Sequence, residues 1–354
     1  MFDLPRQVTQ RVAVGLLLAI LTGCGGRIVT PPDLVWPLPP EPPRIKFVKS
    51  LSAADEVERP GVGVQVKEFF VGRDATARLG KPYAVHVDRE GRVFVADTAW
   101  RKVLVFDERR TRFFILGLDG PGVLGDPHGV ATDADGRVYV TDAKQRRVVV
   151  YDHDWTFLSA FGERDRFERP VGIAINPVLK RVYVVDTKRH RLTAFSLDGT
   201  VLFEIGGRGK EDGQLNFPTN LFVDKAGKVY VMDTFNFRVQ VFDPDGRFLF
   251  KYGSVGTAFG QFSKPKGIAV DSEGHIYVVD AAFNNVQIFD GEGRLLLFFG
   301  EFGNKPGQLW LPAGMAIDDD DRIYVADQYN KRINVYQYLG DRYRARLQGR
   351  KDSP

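Results

Sequence analysis

Apolar and polar residues alternate along this chain in short runs, and the runs recur. PHGVATD at 127–133, PVGIAIN at 170–176 and PKGIAVD at 265–271 each read as a strand that opens on proline. The same shape begins at Pro82, Pro218 and Pro312, so the six starts are spaced by 45, 43, 48, 47 and 47 residues. A turn such as Asp133-Ala-Asp-Gly136 follows, then a second apolar run ending at Asp97, Asp142, Asp186, Asp233, Asp280 or Asp327. Three residues before each aspartate stands an aromatic (Phe94, Tyr139, Tyr183, Tyr230, Tyr277, Tyr324), and nine after it another (Phe106, Tyr151, Phe195, Phe242, Phe289, Tyr336). Glycine falls twenty residues after the first five aspartates, at Gly117, Gly162, Gly206, Gly253 and Gly300. A further apolar run precedes that glycine, as at 247–252 and 294–299. No long window carries helical periodicity, which argues against an α/β barrel.

Four short strands bounded by Gly, Pro and Asp turns in each repeat describe a propeller blade. The expected fold class is all-β, a six-bladed β-propeller of four-stranded antiparallel blades spanning 81–340. Such blades hide their apolar faces against each other, and closing the ring leaves only short edges. Small residues on the first strand (Gly129, Ala131, Gly172, Ala174, Gly267, Ala269) suit the crowded inner ends. The sixth repeat stops near Tyr338, so its outer strand must come from elsewhere. Two segments fit: Ile45–Ser50, and the alternating stretch in which Tyr343, Ala345 and Leu347 interleave with Arg342, Arg344 and Arg346. The first is preferred because it ties the two ends of the chain together.

Pro-x-Gly-Ile-Ala-Val-Asp, Tyr-Val-x-Asp and the Asn-x-Arg-Val of residues 236–239 together resemble the NHL-repeat family, over about 81–339. WD40 and kelch signature dipeptides are missing. Lys102 and Asn285 stand where the repeat has arginine, and the third repeat turns between Asn176 and Arg181 without glycine.

Composition narrows the function. A net charge of +4 over 354 residues argues for no polyanionic partner on its own. Glycine (37) and proline (20) suit a turn-rich β protein. The single cysteine excludes a disulfide framework and any cysteine-cluster metal site.

That cysteine is informative by position. Arg6 and Arg11 precede the apolar run Val12–Leu21, about half the roughly 20 residues a bilayer-spanning helix needs but the length of a signal-peptide core. The run ends in Leu21-Thr22-Gly23-Cys24, which resembles a bacterial lipobox. The resemblance implies cleavage before Cys24, lipidation of Cys24 and stable anchoring through several acyl chains. Gly25, rather than Asp, resembles cargo sent on to the outer membrane of a Gram-negative cell. Seven of the thirteen residues 31–43 are proline, which reads as an extended tether. The expected organisation is a signal peptide at 1–23, a lipidated cysteine and Pro-rich tether at 24–43, a closing strand and excursion at 44–80 with a short helix around 67–70, the propeller at 81–340 and a basic tail at 341–354.

Candidate chemistry is sparse. The six strand-end aspartates are expected to accept loop hydrogen bonds and to pair with Lys102, Arg147, Arg191, Arg238 or Arg332 five positions on, rather than to bind metal. Asp133–Gly136 and Asp318–Asp321 lack the ligand ladder of a calcium loop and read as hairpin turns. Gly120-Pro-Gly-Val-Leu-Gly125 matches a dinucleotide fingerprint by letter but leads into a strand, not a helix. Gly207-Arg-Gly-Lys210 lacks the spacing of a phosphate loop. NHL-like lyases hold zinc at the axis with several first-strand histidines; here only His86 and His128 lie on first strands, at non-equivalent positions, and a zinc centre wants three or four ligands. No catalytic residue, metal or cofactor is expected.

The loops entering the first strand and joining strands two and three share one face. Residues breaking the repeat pattern there are Tyr83, His128, Asn220 and Lys266 near the axis, with Trp100, Arg101, Arg146, Arg147, Arg189, Phe235, Phe283 and Tyr329 further out. Aromatics among arginines make partner anchors. The expectation is a membrane-anchored monomer acting as a non-catalytic binding or interaction scaffold outside the cytoplasmic membrane. Its partner would be an envelope protein or an anionic glycan, not nucleic acid. The alternative is a lyase or lactonase with a metal near the axis, using His86 or His128.

Overall fold

Each repeat folds into a four-stranded antiparallel sheet, and six such sheets form the described part of the chain in a computed structural model that covers residues 34–57, 77–162 and 165–351. In blade 1 the strands are Pro82–Val87, Val93–Asp97, Lys102–Asp107 and Arg112–Leu116, paired in chain order. Blades 2 to 5 repeat this at 127–161, 170–206, 220–252 and 265–299. First strands pack against the first strands of both neighbours, and that of blade 6, Pro312–Ile317, packs back onto blade 1. The described residues form a closed six-bladed propeller, five blades of four strands and a sixth completed by strands from the N-terminal segment.

The packing explains why the repeat exists. Apolar side chains gather into six clusters, and each draws on two adjacent blades. Phe94 and Val105 of blade 1, for example, pack with Val140 and Tyr151 of blade 2. Second strands such as Val93–Asp97 are buried throughout because neighbours cover both faces. A lone blade would expose both. The first-strand glycines are set by the same crowding: a Cβ on Gly267 would meet the Ala313 carbonyl oxygen at 2.5 Å, and one on Gly129 the Val171 carbonyl oxygen at 2.4 Å.

Ile45–Leu51 supplies the outer strand of blade 6, pairing Ile45 with Tyr338 and Leu51 with Ile333. The competing C-terminal segment is not a strand: Asp341–Lys351 is an α-helix. Its Arg346 reaches the Asp320 carbonyl oxygen at 3.0 Å, and the Glu273 carboxylate accepts from the Asp341 N–H at 2.8 Å. The Pro-rich stretch also departs from expectation. Val35–Trp36 adds a fifth strand to blade 6, and Trp36 packs 5.9 Å from Phe299 and 5.8 Å from Tyr336. Within the expected tether, Val35–Trp36 are thus docked on blade 6, and residues 24–33 lie outside the described residues. Cys24, the signal segment and the helix expected at 67–70 lie outside the described residues. No described helix is long and apolar enough to cross a membrane.

Candidate binding face and axial channel

The strand-end aspartates build one face of the ring. Each carboxylate is buried and accepts from backbone N–H groups of the loop that enters its own blade. Asp97 takes the N–H of Gly80 at 2.7 Å and of Lys81 at 2.9 Å, and also those of Ala99 and Trp100 in the next loop. Asp142, Asp186 and Asp280 repeat the pattern. One carboxylate therefore staples the two loops of each blade together, which is why aspartate closes every second strand. The expected pairing with a basic residue five positions on occurs at Asp233–Arg238 (2.8 Å) and Asp327–Arg332 (2.9 Å). Arg191 turns instead to Glu204, and Arg147 to the carbonyl oxygens of Pro121 and Val123.

The turns read as calcium-like are hairpins. Asp133 accepts from the N–H of Asp135 and Arg137 at 2.9 Å and from the Tyr139 hydroxyl at 3.1 Å; Asp318 does the same for Asp320, Arg322 and Tyr324. Among the described residues no group of three His, Cys, Asp or Glu side chains is placed to hold a metal.

Some sequence-predicted face residues serve their own blade. Half-buried Arg147 clamps its loop, and the Trp100 indole N–H donates to the Arg78 carbonyl oxygen at 2.8 Å. The Asn220 side chain accepts from the following N–H of Leu221 at 2.8 Å. Phe235 is exposed beside Phe217, with centroids 4.9 Å apart. Tyr329 is 53% exposed and stacks on Trp310, 5.4 Å away at 27°. Trp310 (40% exposed) meets Phe302 (62% exposed) at 5.5 Å. Sequence reasoning named Tyr329 but missed Trp310 and Phe302. Their signal was two large aromatics in the loop from Gly300 to Pro312, which is as long as the loops after Gly206 and Gly253.

At the axis runs a channel of about 150 Å³ lined by the first strands, with Tyr83 and His128 toward the loop face and His86, Thr132 and Ile317 deeper. Tyr83 and His128 meet edge-on at 4.6 Å, and the Lys266 ammonium sits 5.8 Å over the Tyr83 ring. Burial raises the Tyr83 hydroxyl to about 12. It pulls Lys266 down to about 8, with Lys264 and Lys81 adding repulsion. Burial also lowers His128, whose ring bridges the Asp126 carbonyl oxygen at 3.1 Å and the Arg169 guanidinium at 3.3 Å. Arginine can only donate, so His128 Nε2 accepts and the ring is neutral. His86 is neutral too: its Nε2 accepts from the Thr132 N–H at 3.2 Å, and burial brings it down to about 4. His86 lies three residues deeper along its strand than the level of His128, about 10 Å away along the axis. His86 and His128, either of which the alternative lyase reading would use, are not brought together.

The NHL-repeat pattern matches residues 124–151, 167–195 and 309–336, and a second family described as a 6-bladed beta-propeller matches 210–286. The protein is a six-bladed β-propeller. Three of its six repeats, those of blades 2, 3 and 6, match the NHL pattern. Comparison with curated proteins finds no significant match. Among solved structures it is similar to a protein of unknown function from Bacteroides thetaiotaomicron (17% identity, TM-score 0.59, covering 83% of this chain and 75% of that one). It is also similar to an auxiliary nutrient binding protein from the same species (14%, 0.57, 75% and 71%). Virginiamycin B lyase from Staphylococcus aureus matches at 14% identity and TM-score 0.55, over 73% and 94%. At these identities the likeness concerns the fold.

Proposed function

We propose that this propeller is a lipid-anchored binding protein of the cell envelope that engages its ligand or partner through the loop face, without catalysing a reaction. The observation that carries this is the concentration of repeat-breaking side chains on that face, with the Phe302–Trp310–Tyr329 aromatic group exposed and the axis mouth polar. Exposed stacked aromatics are the side chains that anchor interfaces. The lipobox at Leu21–Cys24 supports the anchor, and the similarity to an auxiliary nutrient binding protein supports binding as the task. In a Gram-negative cell Gly25 directs the protein to the outer membrane.

The test is photocrosslinking in intact cells from positions 310 and 329, beside a probe at Asp152 in a turn between outer strands. Capture of a defined product from 310 and 329, absent from 152, is expected, as is release of a Cys24→Ser variant from the membrane fraction. Equal capture from all three positions would overturn the loop-face assignment, and unchanged membrane retention of Cys24→Ser would overturn the anchor. The lyase reading makes a different prediction: stoichiometric zinc or calcium in purified protein, lost in His128→Ala.

A further inference from the structure

We propose that the loop-side mouth of the axial channel is an anion site, which takes the carboxylate or phosphate group of a small ligand between Lys266 and a surrounding ring of cations. This rests on the reading of the loop face as the binding surface, and names what part of it binds.

The residue just before each repeat proline and the residue just after it encircle the mouth, because first strands ring the axis. Of the six residues before the prolines, Lys81, Arg169 and Lys264 are cations and Asp126 is the one carboxylate. Of the six after, Lys266 is a cation, while His128 is neutral by its hydrogen bonds. At these flanking positions four cations thus stand against one carboxylate, and Lys81 and Lys264 lie close enough to Lys266 to repel it.

The Asp126 carboxylate lies 3.6 Å from Nδ1 of His128, whose neutral ring leaves its charge in place, so the cations at the mouth still outnumber it. Among the described residues none of Lys81, Lys264 and Lys266 makes an ion pair, although ion pairs are common elsewhere on the surface. The best contact Lys266 has is the Gln328 amide oxygen at 3.4 Å, long for a hydrogen bond from an ammonium. Charges of one sign converging on a cleft with low-dielectric walls focus the field there and raise the local concentration of an oppositely charged ligand. Burying an uncompensated ammonium is unfavourable in the empty protein, and an anion bound there removes that cost. Ligand shape follows as well. The channel holds about 150 Å³, so it admits an end-group and not a polymer.

The test is calorimetric titration of the full-length protein in detergent with citrate, with inorganic phosphate and, as a neutral control, with glycerol. The comparison variants are Lys266→Met and, on an exposed hairpin turn between outer strands, Arg247→Gln. Submillimolar binding of citrate or phosphate is expected, weakened at least tenfold by Lys266→Met, unchanged by Arg247→Gln, and weakening as pH rises from 7 to 9. Tight citrate with weak phosphate assigns a polycarboxylate, and the reverse assigns a phosphate group. Absence of binding by both anions below 10 mM, or equal affinity in a Lys266→Met variant that still unfolds cooperatively, overturns the proposal. The outcome is separable from that of the envelope assignment: failed crosslinking with intact anion binding removes the loop-face partner and leaves this site, and the converse removes this site alone.

Discussion

The Lys266 ammonium lies 5.8 Å from the centre of the Tyr83 ring, a contact between blades 5 and 1 that passes over blade 6. It places a partly buried cation among Lys81 and Lys264, with only a ring face and an amide as neighbours. A cation–π contact contributes on the order of 1 kcal/mol, less than the desolvation it must offset.

Stability follows from the sign of that imbalance. Lys266 titrates near 8 in the folded chain against 10.5 unfolded, so the fold resists its charge. Its contribution is complete above 10.5 and lost as pH falls through 8. Lys266→Met should therefore raise the unfolding free energy at pH 7 by about 1 to 2 kcal/mol, discounted for partial exposure, with the gain shrinking toward pH 10. Urea unfolding at the two pH values checks it, and a less stable variant at pH 7 would contradict it.

His86 makes a prediction at the acid end. Its folded value near 4 lies below the unfolded 6.5, so stability is full above 6.5 and lost as pH falls toward 4. Protonation would also break the bond that Nε2 accepts from Thr132. Between pH 7 and 4.5 wild type should lose about 2 kcal/mol more than His86→Gln, which keeps an acceptor but cannot titrate. Equal losses in the two proteins, measured by urea midpoints, would show that the channel water solvates the imidazolium.

Asp280 is fully buried and accepts from Ser263 at 2.7 Å, Lys264 at 3.0 Å and Ala282 at 2.9 Å. Asp280→Ala leaves those N–H groups without their acceptor and should cost about 3 kcal/mol. Because the same carboxylate joins the two loops, amide exchange should quicken in 263–264 and 281–283 while other blades keep their protection. Uniform change across all blades would mean that the carboxylate does not act locally.

The blades were legible because burial on both faces forces the same residue types into the same places in every repeat. Gly117, Gly162, Gly206, Gly253 and Gly300 were visible for the same reason, since each ends its blade at a positive φ. Lys180 shows how the third repeat does without a turn glycine: it takes φ +51° itself, while the Asn176 side chain accepts from the N–H of Val178 and Leu179. Features outside the repeat were harder. Arginines at 342, 344 and 346 alternate with apolar residues and satisfy a strand pattern, but strand Ile45–Leu51 already holds the edge they would pair with. Proline composition suggested a free tether, and Trp36 docked part of it. At the mouth, the residues following the repeat prolines drew notice while those preceding them did not, although Lys81, Arg169 and Lys264 occupy equivalent places. The face residues Arg147 and Trp100 were legible by type, but their carbonyl partners at 121, 123 and 78 belong to loops whose path no periodicity encodes.

The central claim is that six apolar interfaces stand or fall as one ring, sealed where Ile45 pairs with Tyr338. Removing residues 34–51 exposes Tyr336 and strips away Ile45, Phe47 and Leu51, each of which contributes about 2 kcal/mol by burial. Calorimetric unfolding of that deletion beside the full chain is the direct measurement. The account predicts loss of the single sharp transition, or a fall of at least about 5 kcal/mol in unfolding free energy; an unchanged midpoint and an equally sharp transition would contradict it.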